Sequence, residues 1–98
     1  MNNNPHDRSL DAIAARLRAT REAFGLGQNE FARRAGIASN TYNQYEQAKN
    51  LPRLDFANQI CDTYGVTLDW LYRGDRSGLP MRIANLLTEE KVSALPNT

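Results

Sequence analysis

Apolar residues recur along this chain at every third or fourth position, and no run alternates strictly between apolar and polar. The first pattern belongs to helices with one buried face; the second is what a half-buried strand would need. Leu10, Ile13, Leu17 and Phe24 share a face of a first helix. Ser9 is its N-cap, Asp11 lies in its first turn, and Gly25 is placed to end it. A second helix starts after Gly27, with Glu30 where a capping-box acid would sit, and stops at Gly36. A third covers roughly 39–47, and Pro52 prevents its continuation. A fourth runs from about Leu54 to Tyr64, burying Leu54, Ala57, Ile60, Cys61 and Tyr64, with Gly65 as its stop. Thr67 caps a short fifth helix, "LDWLY", with Asp69 near its N-terminus.

From Arg73 the segment "RGDRSGLP" reads as loop. Pro80 then opens a short sixth helix with an apolar stripe of Met81, Ile83, Ala84, Leu86 and Leu87, and "SALPNT" reads as a frayed end. The expected organisation is a flexible polar tail over 1–8, a helical domain over 9–73, and a loop with a short C-terminal helix or tail over 74–98.

At 98 residues the chain holds one modest core. Nothing approaches the roughly 20 apolar residues of a membrane span. "MNNNPHDRS" has no apolar stretch of the kind a secretory signal carries. The single cysteine, Cys61, has no intramolecular partner for a disulfide. A cytoplasmic protein with no membrane contact is the expectation.

The formal net charge of +1 conceals an asymmetry. Residues 8–53 carry eight basic and four acidic side chains; residues 54–98 carry four basic and six acidic ones. A basic N-terminal half suits a polyanionic partner, although a solvated arginine-rich helix has the same composition.

Candidate chemistry is sparse. His6, the one histidine, lies in the tail, so no metal-ligand set and no Ser-His-Asp or Cys-His pair can be assembled in the folded part. "GLG" at 25–27 follows a helix rather than a strand and serves as helix punctuation, not as a phosphate loop. Cys61 falls at core spacing, where a thiol is a small buried hydrophobe. No catalytic residue, cofactor, metal or small-molecule ligand is expected, and the protein is not read as an enzyme.

The informative stretch is "QNEFARRAGIASNTYNQYEQ", residues 28–47. Phe31, Ala35, Ile37, Tyr42 and Tyr45 are its apolar positions, Ala32 is small enough for a close helix crossing, and Gly36 stands where a tight turn needs positive φ. This spacing packs two short helices through one shared core. The polar residues of the second helix then all face outward. A surface of amides and hydroxyls on a helix suits a DNA major groove, where such groups meet base edges. The same surface, taken alone, is also what any solvated helix shows.

"RLRATREAFGLGQNEFARRAGIASNTYNQYEQAKNLP", followed by "GVTLDWLYRGD", resembles the Xre/Cro/phage-repressor helix-turn-helix family over about residues 9–73. The resemblance implies an all-α, compact five-helix lambda-repressor-like bundle, here with a short sixth helix. It implies a homodimer on a two-fold DNA operator. Gln28 would hold a DNA phosphate. Ser39, Asn40 and Gln44 would face base edges, with Thr41 and Asn43 at the margin. Lys49 and Arg53 would touch the DNA backbone. Arg21 matches the family arginine that pairs with a glutamate near the end of the recognition helix, here Glu46; the pair is structural and also orients Arg21 toward a phosphate. Gly36 supplies the turn.

The chain departs from the family pattern at several places. Ala38 replaces the usual Ser or Thr N-cap of the recognition helix, which makes Ser39 an alternative cap. Ala48 stands where glycine is common, and Gly27 where Ser is common. Tyr42 and Tyr45 replace aliphatic core residues, so each hydroxyl must find a partner. The function expected is a sequence-specific DNA-binding transcriptional regulator, a repressor, that reads the major groove with residues 39–47. The alternative is an antitoxin or adaptor of a toxin–antitoxin type whose main partner is a protein.

Overall fold

The computed structural model describes residues 8–87. Residues 1–7, with His6 and nearly all of the expected N-terminal tail, and residues 88–98, with "SALPNT", lie outside the described residues. Within them the chain forms α1 (Leu10–Ala23), α2 (Gln28–Arg34), α3 (Ser39–Glu46), α4 (Leu54–Tyr64), a π-helical turn (Asp69–Arg73) and α5 (Met81–Leu86). No strand occurs among the described residues. This is the all-helical bundle that the periodicity predicts.

Local chemistry sets the helix ends. The Ser9 hydroxyl accepts the Ala12 N–H at 3.1 Å and caps α1. Three successive helices then close in the same way. At the end of α1 the Gly25 and Leu26 N–H groups donate to the carbonyls of Glu22 and Arg21; at α2, Gly36 and Ile37 donate to Arg33 and Ala32. At α3, Ala48 and Lys49 donate to Tyr45 and Gln44. Each closure needs one residue in the left-handed region. Gly25 and Gly36 supply it without strain, whereas Ala48 adopts φ +59 with a Cβ in place.

The core forms around Phe31 of α2. Its ring stacks on Tyr64 of α4 at 4.1 Å and tilts against Tyr42 of α3 at 5.1 Å. Leu17, Ala32, Ala57 and Ile60 complete the centre, all fully buried. The Tyr64 hydroxyl donates to the Phe31 carbonyl at 2.8 Å. Among the described residues no buried side-chain nitrogen or oxygen lacks a partner.

Several expectations are corrected here. Leu54 is not buried: it is 60 % exposed, and the first turn of α4 packs on the core through Phe56 instead. Leu10 is likewise exposed, and Cys61 is half-buried. Glu30 does not close a capping box, since the N-cap Gly27 has no side chain to reciprocate. Its carboxylate pairs instead with Arg33 and with Arg34, the latter at 2.8 Å. The hydrogen bonds from Arg33 and Arg34 hold Glu30 down at about 2.

The "LDWLY" segment is capped as expected, with Thr67 Oγ1 accepting the Trp70 N–H at 3.0 Å, but it continues as a π-helical turn. That wider turn ends at Gly74, which adopts φ +73, and brings the Asp75 N–H onto the Asp69 carbonyl at 3.1 Å. Trp70 is thereby carried into the core, where its Nε1–H donates to Thr20 Oγ1 at 3.0 Å. The buried Arg16 reaches from α1 to the Leu71 carbonyl at 3.3 Å.

The stripe on α5 belongs to the same core. Ile83 and Leu87 are each 1 % exposed, Leu79 is buried before them, and only Met81 stands open. Arg76 lies over the Trp70 ring and donates to the Ala84 carbonyl at 3.1 Å, which holds α5 against the turn.

Candidate nucleic-acid interface

The turn between α2 and α3 is tight on both sides. A Cβ on Gly36 would meet Gln59 Nε2 at 3.0 Å, and that same nitrogen donates to the Ala35 carbonyl at 2.6 Å. Gln59 of α4 therefore braces the turn from behind. Ile37 buries beneath it, and α3 starts at Ser39 with Ala38 as its cap in extended geometry. Ala38 offers no capping hydrogen bond, and Ser39, the alternative cap, lies inside the first turn.

The inner face of α3 converges on one carboxylate. Glu46 is 3 % exposed. Arg21 grips it through two nitrogens, Nε at 2.6 Å and Nη2 at 3.1 Å. Gln28 Nε2 donates to it at 3.0 Å, and the Tyr42 hydroxyl also donates to it. Arg18 donates to the Glu46 backbone carbonyl at 3.2 Å, which caps the end of α3. Burial by itself would raise the Glu46 carboxyl, but the hydrogen bonds from Arg21, Tyr42 and Gln28 outweigh it and hold the group below its ordinary value. The hydrogen bond to Glu46 raises Arg21 in turn. Burial and the neighbouring carboxylate push the Tyr42 hydroxyl far up, so it stays a neutral donor.

The outer face of α3 is different. Ser39, Asn40 and Gln44 are exposed, and Thr41 and Asn43 are half-exposed. Asn40 and Gln44 lie four positions apart and so share a side of the helix. Gln44 Oε1 accepts from Asn50 Nδ2 at 2.6 Å. Lys49 and Arg53 follow, both exposed. Arg53 touches Asp55 at 3.3 Å and lies over the Phe56 ring at 5.3 Å. Together these groups make a surface of donors and acceptors with a cationic margin and no acidic side chain on α3 itself outside the buried Glu46.

The family model described as a helix-turn-helix domain matches residues 12–71, more than half of the chain. The chain belongs to this helix-turn-helix family. Comparison with curated proteins and with solved structures gives no match. Within the helix-turn-helix, α2 and α3 are the paired helices and Gly36 lies in the turn between them.

Against that frame the charged residues divide. Arg16, Arg18 and Arg21 turn inward to carbonyls and to Glu46, so much of the basic excess of the N-terminal half is spent inside the helix-turn-helix. Arg21 also donates from Nη1 to the Leu26 carbonyl at 3.0 Å and its side chain is 14 % exposed, which ties it to the bundle. Gln28 is half-exposed, with its amide nitrogen on Glu46. Sequence reasoning paired Arg21 with Glu46 but missed Arg18, Tyr42 and Asn50. Arg18 precedes Arg21 by one helical turn, a spacing that could have indicated it. No group of histidine, cysteine and carboxylate side chains that could hold a metal occurs among the described residues. No described helix is long and apolar enough to cross a membrane.

Proposed function

We propose that this helix-turn-helix protein is a sequence-specific DNA-binding transcriptional regulator of the Xre/Cro type, working in the cytoplasm as a homodimer and acting as a repressor. The observation that carries the reading is the division of α3: Tyr42, Tyr45 and Glu46 point inward and are buried, while Ser39, Asn40 and Gln44 are exposed on a rigidly held helix. Thr41 and Asn43 would sit at the margin of the contact, and Gln28, Arg21, Lys49 and Arg53 would touch the DNA backbone. α3 carries no Arg or Lys, so the commonest guanine reader is missing from it. Its amides match adenine N6 and N7, which favours half-sites enriched in A·T pairs. Repression needs only occupancy of such a site. Two half-sites about 34 Å apart would let a homodimer gain the affinity that one weakly charged helix lacks.

The test is binding to selected and scrambled duplexes at two salt concentrations. Gln44→Ala or Asn40→Ala is expected to cost about 1–3 kcal/mol on the selected site and to spare non-specific binding. Lys49→Ala or Arg53→Ala should weaken both duplexes alike and reduce the salt slope by about one. Equal weakening of both duplexes by Gln44→Ala would put that side chain on the backbone and overturn this docking.

A second reading, an antitoxin or adaptor, is favoured by Leu51 and Leu54, which are 55 % and 60 % exposed. Such a protein would keep its main contact with a protein partner, and a small toxin reading frame beside its gene would favour this reading.

A further inference from the structure

One peptide group in the loop after α3 is held at both ends by tyrosine hydroxyls. Its carbonyl, on the buried Pro52, accepts from the Tyr72 hydroxyl at 2.7 Å. Its N–H, on Arg53, donates to the Tyr45 hydroxyl at 3.4 Å, the longer and weaker of the two bonds. A carbonyl can only accept and a peptide N–H can only donate, so neither bond can reverse. Tyr45 belongs to α3 and Tyr72 to the π-helical turn. Burial raises the Tyr72 hydroxyl above its ordinary value, so it stays a neutral donor.

The clamped peptide leads straight into Arg53. The guanidinium of that side chain lies over the Phe56 ring at 5.3 Å, with Nη2 on Asp55 at 3.3 Å. Arg53 is thus placed at both ends, by tyrosines at its backbone and by the first turn of α4 at its guanidinium. Arg53 and Asp55 are both exposed, and an exposed ion pair is worth little, so a phosphate can take the guanidinium over at small cost. The near end of the loop is secured separately, by the Ala48 and Lys49 N–H groups on the Tyr45 and Gln44 carbonyls.

We infer that Tyr72 is a positioning residue for the phosphate contact of Arg53, with Tyr45 as its weaker partner: the π-helical turn sets the place from which Arg53 reaches the DNA backbone. The inference rests on the DNA-binding function proposed above. Tyr72 acts through Arg53, which then has less freedom to lose when it meets a phosphate.

The experiment measures binding of the wild type, Arg53→Ala, Tyr72→Phe and Tyr45→Phe to a duplex selected from random DNA, with one phosphate at a time replaced by a neutral methylphosphonate. Both tyrosine substitutions keep the ring and remove only the hydroxyl, and thermal unfolding checks that each variant is folded. The wild type should lose affinity wherever a contacted phosphate is neutralised. Arg53→Ala should become indifferent at one phosphate and so identify it. Tyr72→Phe should bind the unmodified duplex roughly three- to tenfold more weakly, and its loss at that one phosphate should shrink by the same factor. Its losses at the other phosphates should match those of the wild type. Tyr45→Phe should shift the same way by less. Added to Arg53→Ala, Tyr72→Phe should have no further effect, whereas a merely structural hydroxyl would weaken binding there too. If Tyr72→Phe keeps the wild-type pattern, or weakens binding equally with and without Arg53, the inference fails while the DNA reading stands. The same holds if Arg53→Ala stays sensitive at every contacted phosphate. If the wild type enriches no sequence, the DNA reading falls and this inference with it.

Discussion

The two faces of α3 are built on opposite terms. On the inner face, a single carboxylate gathers Arg21, Gln28 and Tyr42 from three helices, with Arg18 on the carbonyl above it. Removing any one partner leaves the others to hold the helix. On the outer face, Asn40 has no comparable network, and Gln44 has a single side-chain bond, to Asn50. The inner face fixes where the helix lies, and the outer face can then vary without moving it. The placement of the helix and its exposed polar surface are thus carried by different side chains on the same eight residues.

The strongest way to break this arrangement is Glu46→Ala. It leaves Arg21 facing a void with only the Glu22 carboxylate beside it, at 3.9 Å, and is expected to cost about 3 kcal/mol in urea unfolding, the lower end for a broken buried pair because Arg21 keeps that contact and some solvent. A double-mutant cycle with Arg21→Ala should return a coupling well above the 0–1 kcal/mol or so of an exposed pair; a coupling near zero would deny the hub its role. The hub also sets an acid dependence. The folded carboxyl lies below its ordinary value, so the stability it contributes is fully present above the ordinary carboxylate range and is lost as pH falls through the lowered folded value. Glu46→Gln should therefore show a flatter loss of stability in acid than the wild type, measured as unfolding midpoints across pH.

A comparable effect, about 2–4 kcal/mol, is expected far from α3. Ile83→Ala opens a cavity in the same core, whereas Met81→Ala, two residues away on the open side, should stay within roughly 0.5 kcal/mol. Equal effects at the two positions would mean that α5 does not dock as described. This pair also bears on dimerisation. A stripe of Met81, Ile83, Leu86 and Leu87 suggests a dimer contact when read along the sequence, but Ile83 and Leu87 are committed to their own bundle. Cutting the chain before α5 should unfold it rather than merely separate two copies.

The smallest effect sharpens the comparison. Ala48→Gly relieves the left-handed strain at the end of α3 and is expected to stabilise the protein by about 0.5–1 kcal/mol, read as a raised unfolding midpoint. It leaves every side chain on both faces unchanged. A loss of stability would show that the Ala48 methyl makes a contact worth more than the strain it imposes.

Much of the fold is legible in the sequence because short-range chemistry decides it. Ser9, Gly25, Gly36 and Gly65 mark helix ends by their own conformational preferences, and α4 begins and ends where Leu54 and Tyr64 suggest. The α2–α3 unit is legible because small, apolar and turn residues must recur at fixed spacing for two helices to share a core. What is not legible depends on reach through space. Periodicity places Leu54 on the buried side of α4 but cannot say that no neighbour covers it. The stripe on α5 shows an apolar face without showing what it packs on. The convergence of Tyr42 and Gln28 on Glu46 links residues that are far apart in the chain, and only the Arg21 pairing was implied by resemblance. Asn50 carries no pattern at all, since its bond to Gln44 depends on a loop reversed at Ala48.

Trp70 gives the molecule a built-in optical signal. It is the only tryptophan in the chain, almost fully buried, with its indole N–H on Thr20 and a guanidinium above its ring. Native emission should therefore be shifted to the blue, and it should move to the red when the C-terminal third lifts from α1. Neither Thr20 nor Arg76 belongs to α3. The fluorescence of this one residue thus follows the docking of the scaffold, while a dye on a duplex would follow the DNA binding proposed for α3, and the two colours would separate folding from binding in a single cuvette.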